Sequence, residues 1–154
     1  MRTILFNVTA ICSLSLSVNS TASTLQDCVR AMPYAESAVH GRIQLYAVGD
    51  RGHRTGEAWG CCQIRPGVVA DLQRWGYRFQ RSDCWEYRKS LRMTEIWLRR
   101  TCGTRARPEV YFRAWRAGAN DRHNVRVYVG RHMSEYRRVT TKGNRILIAS
   151  VGRP

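Results

Sequence analysis

The segment Ala58-Trp59-Gly60-Cys61-Cys62-Gln63-Ile64-Arg65-Pro66 constrains the fold of this chain more than any other. Gly60 marks a tight reversal. Pro66 then supplies a fixed φ and no N–H, which suits the first position of a helix. Upstream lies a glycine-marked loop containing Ala47-Val48-Gly49-Asp50, and before that the pair Glu36-Ser37. A carboxylate, a glycine loop and a tight turn running into a helix therefore follow one another within about thirty residues.

The periodicity predicts a mainly α domain. Leu25 to Val39 reads as helix, with Ser23 or Thr24 as N-cap and Asp27 in its first turn; Pro33 predicts a kink or a fresh helix start. Gly41, Gly49, Gly52, Gly56 and Gly60 sit at turn-like positions in irregular or short β structure. Pro66 opens a helix with Val68, Val69, Leu72 and Trp75 on one face, stopped by Gly76. Asp83-x-x-Glu86 has the form of a capping box for a helix reaching about Thr101, stopped by Gly103. Its apolar set is Trp85, Leu91, Ile96, Trp97 and Leu98. Pro108 begins another helix through Ala117, with Val110, Phe112 and Trp115 apolar, and Gly118-Ala119-Asn120 reads as a loop. Val125 to Val139 has helical spacing, and Ile146-Leu147-Ile148 is a short β-like run. No repeat or linker divides the chain, so 154 residues make one domain.

The amino terminus reads as an export signal over residues 1–22, with the domain at 23–154. Arg2 is the lone charge before Asp27, Ile4 to Val18 is mostly apolar, and Ser20-Thr21-Ala22 offers small residues for cleavage. The alternative is an uncleaved, weakly anchoring segment. Export would place Cys28, Cys61, Cys62, Cys84 and Cys102 where disulfides persist. Cys84 with Cys102, and Cys28 with Cys61 or Cys62, are the pairings expected. No cysteine or histidine spacing reads as a metal site, and no cofactor motif occurs.

Charge bears on partners. The net charge is +15, and of 26 basic residues all but Lys89 and Lys142 are arginine. Such a field gathers anionic polymers. A bacterial wall, with acidic stem peptides and anionic polymers, suits it; nucleic acid suits it less, because no nucleic-acid module is recognisable.

The order Glu36-Ser37, Gly49-Asp50, Gly60-x-x-Gln63-Ile64 resembles the lysozyme-like superfamily of lytic transglycosylases and goose-type lysozymes. Tyr111-Phe112-Arg113-Ala114-Trp115-Arg116-Ala117-Gly118-Ala119 is similar to a second element of that superfamily, with Trp115 on its aromatic position and Gly118 on its glycine; Arg116 stands where the pattern has asparagine and Ala119 where it has proline. The resemblance implies a lysozyme-like fold with a small loop or hairpin region after the first helix. It also implies cleavage of the β-1,4 bond between N-acetylmuramic acid and N-acetylglucosamine in peptidoglycan.

Within that expectation Glu36 is the general acid. A carboxylic acid donates at neutral pH only where apolar surroundings hold its proton. Glu36 is flanked by Tyr34, Ala35, Ala38 and Val39, with no arginine within five residues on either side. Asp50 is either a second carboxylate holding water, as hydrolysis requires, or a turn residue of Gly-Asp-Arg-Gly. Glu57 competes with Glu36 for the acid role. Gln63, Ser37, Trp59 and Trp115 are the substrate-binding candidates, with core burial the competing fate for Trp59. A secreted, arginine-rich binding protein for anionic glycan or nucleic acid, without turnover, is the reading from another class.

Overall fold

The computed structural model describes residues 20–52, 54, 56–117, 126–142 and 148–149. Within them the chain is mainly α-helical. The helices are α1 (Ser20–Ser37), α2 (Pro66–Arg74), α3 (Tyr87–Cys102), α4 (Pro108–Ala117) and α5 (Arg126–Lys142), with a 3-10 turn at Arg81–Trp85. Four two-residue strands accompany them: β1 (Ile43–Gln44), β2 (Val48–Gly49), β3 (Ala58–Trp59) and β4 (Ile148–Ala149). β1 pairs parallel with β4, Ile43 opposite Ile148; β2 pairs antiparallel with β3, Val48 opposite Trp59. Among the described residues no helix is long and apolar enough to cross a membrane.

α1 is the central element, packed against α3, α4 and α5. Leu25, Cys28, Val29, Met32 and Ala35 recur at helical spacing and are buried. Its course differs from the sequence expectation at both ends. The helix already runs at Ser20, so Ser23 and Thr24 lie inside it rather than capping it. Pro33 neither splits nor restarts it, and helix continues to Ser37. Pro33 is fully buried, so packing on every side holds the turn that its ring would otherwise open. Ser37 Oγ donates to the Pro33 carbonyl at 3.1 Å, closing the last turn.

α2 starts at Pro66 and buries Val69 and Leu72, with Val68 and Trp75 packed at the edge. It ends in a Schellman motif: Gly76, at φ +88°, donates to Gln73 and Tyr77 donates to Leu72. α3 buries Met93, Ile96, Trp97 and Leu98 and stops at Gly103. The capping box ahead of it is shifted from the expected one. Gln80 is the N-cap and Asp83 the reciprocating residue, of the 3-10 turn. Asp83 Oδ2 accepts from the Gln80 N–H at 2.8 Å, and α3 itself begins only at Tyr87. In α4, Tyr111, Phe112 and Ala114 form the buried face, whereas Val110 points outward.

The five cysteines from Cys28 to Cys102 are free thiols. Cys102 is the last residue of the sixteen-residue α3, whereas Cys84 lies in the 3-10 turn ahead of that helix. The helix alone is about 24 Å long at 1.5 Å per residue, and the expected Cys84–Cys102 bridge is not formed. Cys28, Cys61 and Cys62 join the hydrophobic core without bridging. Burial pushes the Cys28 and Cys62 thiols up from their ordinary range, and Cys84 up to about 11.

Candidate active site

The site is assembled by the reversal at residues 59–64. Trp59 and Ile64 exchange backbone hydrogen bonds of 3.0 and 2.9 Å, enclosing Gly60 to Gln63. Gly60 has φ +78°, and a Cβ there would lie 1.9 Å from the Cys84 carbonyl oxygen, so only glycine fits. The Trp115 indole N–H donates to the Cys62 carbonyl at 3.0 Å, pinning the reversal to α4. Trp115 also meets Trp97 edge-on at 5.6 Å between centroids, and Trp97 Nε1 donates to Asp71 at 3.0 Å. α2, α3 and α4 thus hold one loop.

Gln63 occupies left-handed backbone at φ +52°. Its Nε2 donates to the Gly60 and Ala47 carbonyls at 3.0 and 3.2 Å. The amide nitrogen is therefore committed to the protein, and the side-chain oxygen is the group left to accept from a ligand. Asp50 is also left-handed, at φ +53°. Among the described residues His40 is the one other non-glycine at positive φ, so two of the three strained backbones fall on expected site residues.

Glu36, one residue from the end of α1, stands where two cavities meet. The larger, about 480 Å³, is lined by Glu36, Ser37, Gln44, Tyr46, Gln63 and Arg131 among others. The smaller, about 90 Å³, includes Glu36, Asp50, Gln63, Arg65, Trp115 and Arg116. Glu36 and Gln63 belong to both. The Glu36 side chain is 14% exposed, which leaves its carboxyl accessible from the cleft but largely out of water.

Two α5 residues that the sequence reading did not select stand against this carboxyl. The Tyr128 hydroxyl donates to Glu36 Oε1. His132 Nε2 lies 3.3 Å from the same oxygen, off the line of a hydrogen bond. Burial, with Glu36 beside it, pushes the Tyr128 phenol well above its ordinary range, so it stays a donor. The signal for both was their four-residue spacing, which puts a phenol and an imidazole on one face of a helix.

Of the other expected residues, Asp50 shares the smaller cavity with Glu36 but is ion-paired, 2.6 Å from Arg65 and 4.0 Å from Arg116. Ser37 lines the larger cavity with its hydroxyl committed to Pro33. Trp115 lines the smaller one. Trp59 is the correction. Its ring stacks on Trp85 at 4.9 Å, Arg81 covers it at 4.3 Å, and it lines neither cavity. Glu57 is outside both cavities too, its carboxylate accepting from the Trp59 indole at 3.2 Å. The Arg81 guanidinium donates to the Glu57 and Ile64 carbonyls, so this corner is structural. Gly118 and Ala119 lie outside the described residues. Among the described residues no three histidine, cysteine, aspartate or glutamate side chains converge as a metal site requires.

No protein-family model, curated protein or solved structure matches this chain.

Proposed function

We propose that the chain is an exported, lysozyme-like enzyme that cleaves the β-1,4 bond between N-acetylmuramic acid and N-acetylglucosamine in peptidoglycan, with Glu36 as its single acid and base. The observation that carries this reading is the position of the Glu36 carboxyl. It is mostly shielded from water, gripped by Tyr128, and part of the lining of two cavities that Gln63 also lines.

The chemistry follows from one carboxyl. Glu36 gives its proton to the glycosidic oxygen as the bond to the anomeric carbon breaks and oxocarbenium character develops. The muramic acid 6-hydroxyl then attacks that carbon and returns its proton to Glu36, leaving a 1,6-anhydro end. The alternative, inversion by water, needs a second carboxylate as base. Asp50 is the candidate in the same cavity, and its ion pair with Arg65 commits the charge that would have to polarise water. That favours the transglycosylase over the muramidase. Arg65, Arg116 and Arg131 along the cleft, within a +15 chain, suit a substrate carrying acidic stem peptides and anionic wall polymers.

The same arginines also favour a second reading, a binding protein for anionic glycan without turnover. Glu36→Gln separates the two. The enzyme reading expects wall degradation to fall at least about 100-fold while co-sedimentation with sacculi persists, since a positioned acid contributes about that much or more. Undiminished degradation by the variant, or none by the wild type, contradicts it.

A further inference from the structure

Arg116 stands in α4 where the superfamily pattern has asparagine, and its surroundings show what the exchange brings. The smaller cavity is lined by four charged side chains, Glu36, Asp50, Arg65 and Arg116. Asp50 Oδ2 serves both arginines. Arg65 holds it at 2.6 Å in a tight charge-assisted hydrogen bond, whereas Arg116 comes only to 4.0 Å, beyond hydrogen-bond length. The nearer guanidinium therefore uses the carboxylate, and the planar N–H fork of Arg116 is left for another anion. The Arg116 side chain is 47% exposed, so a ligand can reach it.

Tyr128 ties this guanidinium to the proposed acid. Its hydroxyl donates to Glu36 Oε1, and Arg116 lies 5.6 Å over its ring. An anion held by Arg116 thus sits in the same cavity as the proposed acid. Size limits what that anion can be. Small-molecule pockets hold roughly 300–1,000 Å³. The larger cavity, about 480 Å³, has room for a sugar ring; the smaller, about 90 Å³, does not. It admits a single anionic group on a short arm from a ring seated beside it. With Glu36 carrying the proton it donates, the lining holds two cations and one anion, so one further negative charge balances it.

The geometry points to the smaller cavity as a carboxylate subsite, where Arg116, with Arg65 beside it, takes the lactyl carboxylate of a muramic acid residue whose stem peptide is gone. This rests on the reading of the cleft as a peptidoglycan-cleaving site. The lactyl arm is short and branches from the same sugar as the bond to be broken. In an intact strand its carboxyl is part of an amide, which is neutral and carries a peptide, and the cavity suits neither. Peptide-free strands are therefore the preferred substrate. The reaction that supplies them is hydrolysis of that amide: water cleaves the C–N bond, leaving the carboxylate on the lactyl arm and an amine on the released peptide.

Binding to the full chain carrying Glu36→Gln, which leaves strands uncut, tests this. Soluble peptide-free strands are compared with the same strands after their carboxyls are capped as methylamides, and with peptide-bearing strands. Loss of a charge-assisted pair predicts at least about tenfold weaker binding of both the capped and the peptide-bearing strands. Adding Arg116→Gln levels the affinities. Adding Arg113→Gln, which removes an equal charge from an exposed position of the same helix outside both cavities, leaves the preference in place. Equal binding of free and capped strands overturns the proposal with Arg116 intact, so a folding defect of that variant cannot mask the answer. Peptide-bearing strands that bind as tightly as peptide-free ones also overturn it, since the anion is then on the stem peptide. So does a preference that survives Arg116→Gln. If the wild type cleaves no strand while the carboxylate preference holds, the enzymatic reading falls and the subsite stands; cleavage with carboxylate-blind binding means the reverse.

Discussion

Gly49 lies so close to Gln63 that a Cβ at position 49 would sit 2.0 Å from the Gln63 side-chain oxygen. β2 can therefore pass beneath the glutamine, with its amide where it stands, only if the residue there has no side chain. This joins a feature of the sequence, a glycine before Asp50, to the orientation of a cavity-lining amide.

Gly49→Ala follows directly. The alanine forces the Gln63 amide away from the Ala47 and Gly60 carbonyls, at a cost of about 1–3 kcal/mol in stability. Wall-degrading activity is expected to fall at least tenfold, mostly through KM. Urea unfolding and steady-state kinetics check both; a variant with wild-type KM contradicts the role given to Gln63.

Tyr128→Phe removes the hydroxyl that Glu36 accepts from. The fold is expected to survive, with about 1 kcal/mol lost, and turnover to drop about tenfold or more. A pH signature accompanies it. The phenol is held protonated by burial in the fold. Its contribution is full below the ordinary phenol range near pH 10 and is lost as pH climbs beyond it. The Phe variant should therefore show a shallower fall of melting temperature in alkaline buffer. Identical slopes for the two proteins contradict this assignment.

Asp50→Asn tests the second carboxylate. As an Arg65 partner in a left-handed turn, Asp50 can be replaced by asparagine, which tolerates that backbone. Activity within about fivefold of wild type is expected, with the same product ends. A loss of two or more orders of magnitude, measured by release of soluble muropeptides from sacculi, makes Asp50 the base of a hydrolase instead.

The cysteines give a prediction independent of catalysis. With Cys28, Cys61, Cys62 and Cys84 buried and unbridged, a reductant should leave the melting temperature unchanged. Thiol reagents should label these four only after unfolding. A large drop in melting temperature with reductant means that bridges form in the folded protein.

Local chemistry made much of the architecture readable. Pro66 and Pro108 at helix starts, and Gly76 and Gly103 at helix ends, act through local backbone geometry that the fold does not oppose. Pro33 misled because tertiary packing outweighed its local effect. Asp83 misled because a four-residue capping pattern can be read from either of its carboxylates, and Gln80 was overlooked as the N-cap. In the site, Glu36, Gln63, Asp50 and Trp115 were visible because they lie in or near two short stretches of chain. Tyr128 and His132 were not, since they reach Glu36 only when α5 folds back against α1. Trp59 stands between sugar stacking and core burial on sequence alone; Trp85 and Arg81 cover its ring, and neither position can be inferred from the Gly60 turn.

The most direct measurement is mass spectrometry of fragments that the purified protein releases from sacculi in oxygen-18 water, beside Glu36→Gln. Single-acid chemistry predicts 1,6-anhydro ends without heavy oxygen from the wild type, and almost no fragments from the variant. Ends carrying heavy oxygen, or equal release by both proteins, would contradict the assignment of Glu36 as the lone acid and base.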